Sequence, residues 1–185
     1  MSLYEMLPLL DGWRYWDIRE PKLGAGILKH GESRDLFVVE NQKGWVLYAA
    51  LYFEGSLDAK YVRIQIWIDY PTKPFVLEFT PHDLYRFGNV RMLNFGAYVQ
   101  VYDDTNKVYT VVVDNALPLP FNQSFKVTIT APPTVVEDSS DIAFSGHGGY
   151  IQIYDEEAFK ESLWRLLYPP QRLPEKGRVI PIPVR

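Results

Sequence analysis

The chain contains no cysteine, which removes disulfides, zinc–thiolate centres and thiol nucleophiles from consideration at once. Histidine is scarce as well. His30, His82 and His147 lie far apart in sequence, and none belongs to a metal-binding or nucleophile motif. Apolar runs are short, and none approaches the ~20 residues a membrane helix needs, so no membrane insertion is expected. Met1–Leu10 carries no basic segment and no long apolar stretch follows it, so no secretory signal is expected. Cationic excess is also missing. The formal net charge is −4, which gives no global field for nucleic acid. Gly24-Ala25-Gly26 lacks the later glycine and the strand-then-helix setting of a phosphate loop. These absences lead to the expectation of a non-enzymatic protein with no cofactor and no metal. A cysteine-free chain suits the cytoplasm, a virion or a hot environment equally, so compartment stays open.

What the sequence does contain is apolar and aromatic. Of its 185 residues 47 % are hydrophobic and 15 % aromatic, enough for one domain with its own core. Apolar residues recur at a spacing of two over much of the chain. The strand readings are Leu36–Glu40, Trp45–Glu54, Tyr61–Tyr70, Phe75–Phe79, Ala97–Asp103, Lys107–Val113 and Ser124–Thr130, followed by weaker ones at Thr134–Glu137, Asp141–Ser145 and Tyr150–Tyr154. Trp45–Glu54 is apolar on both alternating faces, which requires a central strand or a second covering layer. In Tyr61–Tyr70, Val62, Ile64, Ile66 and Ile68 point one way, and Tyr61 and Trp67 share the other face with Arg63, Gln65 and Asp69. About eight to ten short strands with turns between them predict an antiparallel β-sandwich, jelly-roll-like, with one C-terminal amphipathic helix and extended termini.

Turn chemistry punctuates this pattern. Asn41–Gly44 is a turn, and Asp103–Asn106 closes a hairpin in which Asn106 is expected to take positive φ. Asp114–Pro120 and Gly146–Gly149 read as loops. Thr80 can cap a short helix that has Pro81 in its first position and Asp83 three residues after the cap, with Gly88 ending it. The carboxylates at Asp103 and Asp104, and at Glu137, Asp138 and Asp141, lack calcium-loop spacing and read as solvated turns.

Four segments follow: an N-terminal arm 1–34, the sandwich 35–154, a helix 155–168 and a tail 169–185. In the helix, Asp155 is the cap, and Phe159, Leu163, Leu166 and Leu167 form one stripe. Five of the seventeen tail residues are proline, which favours extended polyproline-like backbone. Arg172, Lys176, Arg178 and Arg185 against Glu175 give the tail a formal +3, leaving −7 to the body. Ile180, Ile182 and Val184 are too apolar for a solvated linker, so the tail end is expected to dock. It is also the one segment basic enough to touch phosphate.

Exposed aromatics carry the remaining signal. Tyr61 and Trp67 on one strand, and Tyr98 and Tyr102 on another with Tyr109 joining across the hairpin, are candidate interface positions. Trp13 and Trp16 of the arm and Arg172, Arg178, Ile180, Ile182 and Val184 of the tail complete the set.

The motifs Gly44-Trp45-x-Leu47, Ile66-x-Ile68-Asp69, Pro120-Phe121 and Phe125-Lys126-Val127, closed by Pro132-Pro133, resemble β-sandwich virion proteins of phages and archaeal viruses, such as minor capsid, decoration or tail-associated proteins. The resemblance spans roughly residues 36–135 and transfers no functional residue. It implies a structural subunit whose partners are copies of itself and other virion proteins, laced together by extended termini. The other expectation from the residues themselves is a carbohydrate-binding or adhesion module, with a glycan stacked on the aromatic sheet face.

Overall fold

The computed structural model describes residues 16–19, 24–70, 75–87, 90–92 and 95–167. Within them the chain forms two antiparallel sheets around a shared core. The strands are β1 Trp16–Arg19, β2 Gly26–Leu28, β3 Ser33–Glu40, β4 Gly44–Glu54, β5 Arg63–Ile68, β6 Phe75–Phe79, β7 Val90–Met92, β8 Phe95–Asp103, β9 Val108–Phe121, β10 Ser124–Thr130 and β11 Ile142–Ile153. The larger, seven-stranded sheet runs β1-β11-β4-β9-β8-β7, with β2 also on β11, and the smaller runs β3-β10-β5-β6. The helices are α1 Pro81–Phe87 and α2 Glu156–Leu167, with a 310 turn at Leu57–Tyr61.

The expected inward residues make the core. Ile64, Ile66, Val127 and Ile129 of the smaller sheet meet Val46, Leu51, Phe53 and Val111 of the larger, all but fully buried. Aromatic rings tie the sheets together: Phe37 meets Phe125 edge-on at 5.1 Å and Tyr150 at 6.2 Å, and Phe121 lies 6.1 Å from Phe125. Strand β4 lies between β11 and β9, as its two apolar faces require. Part of its outer face is covered by α2, where Phe159, 2 % exposed, meets Trp45 edge-on at 4.9 Å. The side chain of Asp155 accepts from the Ala158 amide at 3.0 Å and caps that helix.

Several local expectations are corrected. Asp114–Pro120 is not a loop but lies within β9, whose pairing with β4 is irregular between Asp114 and Leu119 and resumes from Leu119 to Phe121. Thr134–Glu137 is not a strand but part of the connection to β11. Gly146–Gly149 is no loop either and lies in the middle of β11, paired with Leu51 to Tyr48. The physical reason is close approach: a Cβ on Gly148 would sit 2.4 Å from the Phe37 ring and 2.7 Å from the Tyr48 carbonyl oxygen. In the β8–β9 turn Lys107, not Asn106, takes positive φ (55°). The Asp103 carboxylate fixes that turn by accepting from the Thr105 and Asn106 amides, both at 2.9 Å.

Residues 16–34 contribute β1 and β2, both paired with β11, and β3 begins at Ser33. Strand direction gives the sandwich two distinct ends. One carries residues 29–32, the 310 turn, α1, the β8–β9 turn and the loop 131–141. The other carries 40–44, 69–70, 121–124 and the start of α2.

Candidate functional site

At the first end, side chains from four segments converge. The capping box of α1 forms as its sequence requires. Thr80 Oγ1 accepts from the Asp83 amide at 3.0 Å, and Asp83 accepts from the Thr80 amide at 3.0 Å. This places His82 on the hydroxyl of Tyr102, with Nδ1 2.8 Å away, and lays Tyr85 flat on the Tyr102 ring at 3.9 Å and 10°. Tyr61 packs 5.2 Å from His82, and Tyr102 meets the buried Tyr109 edge-on at 5.2 Å. Tyr85 and Phe87 are 62 % and 78 % exposed, so the aromatic group runs from the core out to water.

Charges bind this aromatic group to the rest of the end. Lys60, 5 % exposed, reaches Glu137 at 2.9 Å and Asp104 at 3.5 Å. Burial works against its charge, but the hydrogen bond to Glu137 and the charge of Asp104 win and push its pKa above the ordinary lysine value. The Tyr61 hydroxyl donates to Glu137, and this bond, followed by burial, raises the phenol to about 12. The Tyr109 hydroxyl donates to Asp104 at 2.7 Å, and its titration is raised mainly by burial.

Beneath this layer Asp58 is fully buried. It accepts from His30 Nε2 at 3.0 Å and from the amides of Val136, Glu137 and Asp138 at 2.7, 2.6 and 3.0 Å. These donors outweigh burial and hold its carboxyl below the ordinary aspartate range. Asp138 accepts from the Leu57 amide at 3.1 Å and from Lys107 at 2.7 Å, the second bond chiefly lowering its pKa. Asp138, half-buried, is therefore a structural acceptor rather than a solvated turn residue, and Glu137, though exposed as expected, is an acceptor as well. Among the described residues no three His, Asp or Glu side chains converge where they could hold a metal.

The expected interface residues separate. Tyr61 ends the 310 turn and Trp67 lies near the far end of β5, so the two do not share a strand face as expected. Trp67 instead sits under Lys126, whose Nζ is 5.5 Å from its ring and 4.8 Å from that of Tyr70, and its buried indole N–H has no hydrogen-bond partner among the described residues. Tyr98 and Tyr102 are split by the irregularity between Val99 and Val101. It turns Tyr102 toward the core with Tyr109 and leaves Tyr98 opposite Val112. Trp16 is in β1, paired with Ile153. Trp13, Arg172, Arg178, Ile180, Ile182 and Val184 lie outside the described residues, as do Gly88 and the tail.

Residues missed by sequence reading are Lys60, His82, Tyr85 and Phe87. The capping box was the available signal for α1, since it fixes which side chains project from that turn. No protein-family model matches the chain, and no curated protein matches it in sequence.

Proposed function

We propose that this protein is a non-catalytic structural subunit that assembles with copies of itself. The observation that carries this reading is the ring stack Tyr102–Tyr85, with Phe87 also exposed on the same short helix, large apolar side chains held out to water beside a braced framework. Exposed aromatics on a rigid support are the composition of interface cores rather than of ordinary surface. Rigidity matters because little rotamer freedom remains to be lost when a partner docks. The chemistry beneath the stack is also that of a brace. Lys60, Asp58 and Asp138 are each engaged by several partners, so their hydrogen-bonding capacity is spent on holding the end together.

The setting we propose is a virion, as capsid, decoration or tail-associated protein, in line with the strand-motif resemblance of residues 36–135. A jelly-roll-like connection of the two sheets, and lacing of subunits by the termini, belong to the same reading. It is tested by the native mass of the full-length chain, measured by light scattering after gel filtration. The expected result is a defined oligomer that loses mass when Tyr85→Ala and Phe87→Ala are combined. A monomer at every concentration overturns the reading.

A further inference from the structure

The opposite end of the sandwich carries a different kind of feature. Between the β3–β4 turn, the β9–β10 turn and the end of β5 lies a cavity of about 630 Å³, inside the ~300–1,000 Å³ range of small-ligand sites. Asn41, Gln42, Asn122 and Gln123 supply half of its lining side chains, with Tyr70 as the aromatic wall and Glu40 at its edge. From this we infer that the cavity binds a neutral, hydroxyl-rich ligand, an oligosaccharide by chemical class.

The argument rests on what carboxamides can and cannot do. A carboxamide carries a donor and an acceptor side by side, the pairing a sugar hydroxyl presents in return, and cannot ionise. Asn122 spends one N–H on Asp69 and Gln42 its oxygen on Tyr150, so the Asn122 oxygen, the Gln42 N–H groups and the Asn41 side chain are the groups that would meet a ligand. The charges nearby are already committed. Lys43 pairs with Glu156, and Glu40 accepts from the Tyr70 hydroxyl at 3.2 Å. A phosphate or an acidic group would meet, among the described lining residues, a single cation, Lys43, whose charge is already paired.

The walls are also braced, and at some conformational cost. Asn41 and Asp69 both hold φ of 55°, a region that costs a non-glycine residue free energy and concentrates at ligand sites. The Asp69 carboxylate accepts from the amides of Asn122 and Gln123 at 2.7 and 2.9 Å, and from the Asn122 side chain at 3.2 Å. The Gln42 amide donates to the Gln123 carbonyl oxygen at 3.1 Å, and the Tyr150 hydroxyl donates to the Gln42 side chain at 2.9 Å. The rims are thus joined to each other and to β11 before any ligand arrives, which reduces the ordering cost of binding.

The inference is independent of the assembly reading, and its test separates the two. Maltotetraose, cellotetraose, mannotetraose and chitotetraose would be titrated calorimetrically into the full chain, alongside inorganic phosphate and a capped tetra-asparagine peptide. At least one neutral sugar is expected to bind. Its affinity should fall about tenfold in Asn41→Gly, the equivalent of one lost hydrogen bond. That substitution relieves the positive φ, so folding is retained. Gln42→Ala should weaken the same sugar, while Tyr85→Ala at the other end leaves it unchanged. Binding of none of the four sugars, binding of phosphate or the peptide in their place, or sugar binding that survives both cavity substitutions overturns the inference.

Discussion

The two ends of the sandwich are tied down by different chemistry. One is ionic: Asp58, Glu137 and Asp138 gather His30, Lys60, Lys107 and a run of backbone amides. The other is built largely on amides, with Asp69 as the carboxylate that organises it. The ionic end closes the longest described connection, residues 131–141, which has no strand to hold it. A buried carboxylate taking three amides does there what a ladder does elsewhere. The amide end closes tight turns, so less has to be held, and carboxamides that share in its bracing also line a cavity. The contrast teaches that a buried carboxylate is needed where a long connection must be held, and that tight turns can close around open space.

The comparison can be broken most directly at Asp58. Replacing it by alanine strands three amide donors and His30 in a buried site, and is expected to cost about 3–5 kcal/mol, read from urea denaturation midpoints. A loss under ~1 kcal/mol would mean that the ionic end is a surface decoration. At the other end the largest effect should come from packing. A Cβ on Gly44 would lie 2.2 Å from the Ile151 carbonyl oxygen and 2.7 Å from the Phe121 ring, so Gly44→Ala should cost about 1–3 kcal/mol by the same measurement.

Acid should separate the ends further. Asp58, Glu137 and Asp138 all titrate below their ordinary values. Their stabilisation is therefore full above the unfolded carboxyl range near pH 4 and is lost as pH falls through the lower folded values. At the amide end Asp69 behaves likewise for residues 121–124, while Glu156, held at about 2 chiefly by the hydrogen bond from Lys43, ties down the start of α2. Hydrogen exchange at pH 3 should therefore open residues 131–141 before residues 121–124, and simultaneous opening would remove the distinction. Alkali acts in the opposite sense and on both ends. Tyr61 and Tyr70 are each raised to about 12, so their contribution is full below pH 10 and lost toward pH 12. The smallest effect on stability is expected from Tyr85→Ala, within about 0.5 kcal/mol because that ring is exposed, while native mass changes.

Much of this fold was legible as alternation. Ser124–Thr130 and Phe75–Phe79 begin and end where their apolar spacing and flanking residues place them. The capping signature of Thr80-Pro81-x-Asp83 fixed a helix of only seven residues. Alternation fails wherever a strand carries an extra residue. Bulges in β4 near Leu47 and in β8 near Gln100 exchange the faces on either side of them, which is why Tyr98 and Tyr102 were read as neighbours. Composition misled in β11, where Gly-His-Gly-Gly suits a loop by propensity, although Gly148 is demanded within the strand by the Phe37 ring. Candidate sites were less legible than strands. Tyr61 and Tyr102 were found from their type alone, but His82, Lys60 and Glu137 reach them only through tertiary packing. Asn41–Gln42 read as turn chemistry and Asn122–Gln123 fell between two readings; only β10 brings the two turns together.

Strand β3 is an outer member of the smaller sheet, hydrogen-bonded on one side to β10. Midway along it Phe37 takes φ of 50° and buries its ring completely, while Val38 turns out to solvent and the register with β10 slips. A strand offered to that border would find its ladder interrupted at the centre. Open-ended fibre growth along this border is thereby discouraged. A homo-oligomer of the kind proposed would therefore rest on contacts other than strand addition at β3.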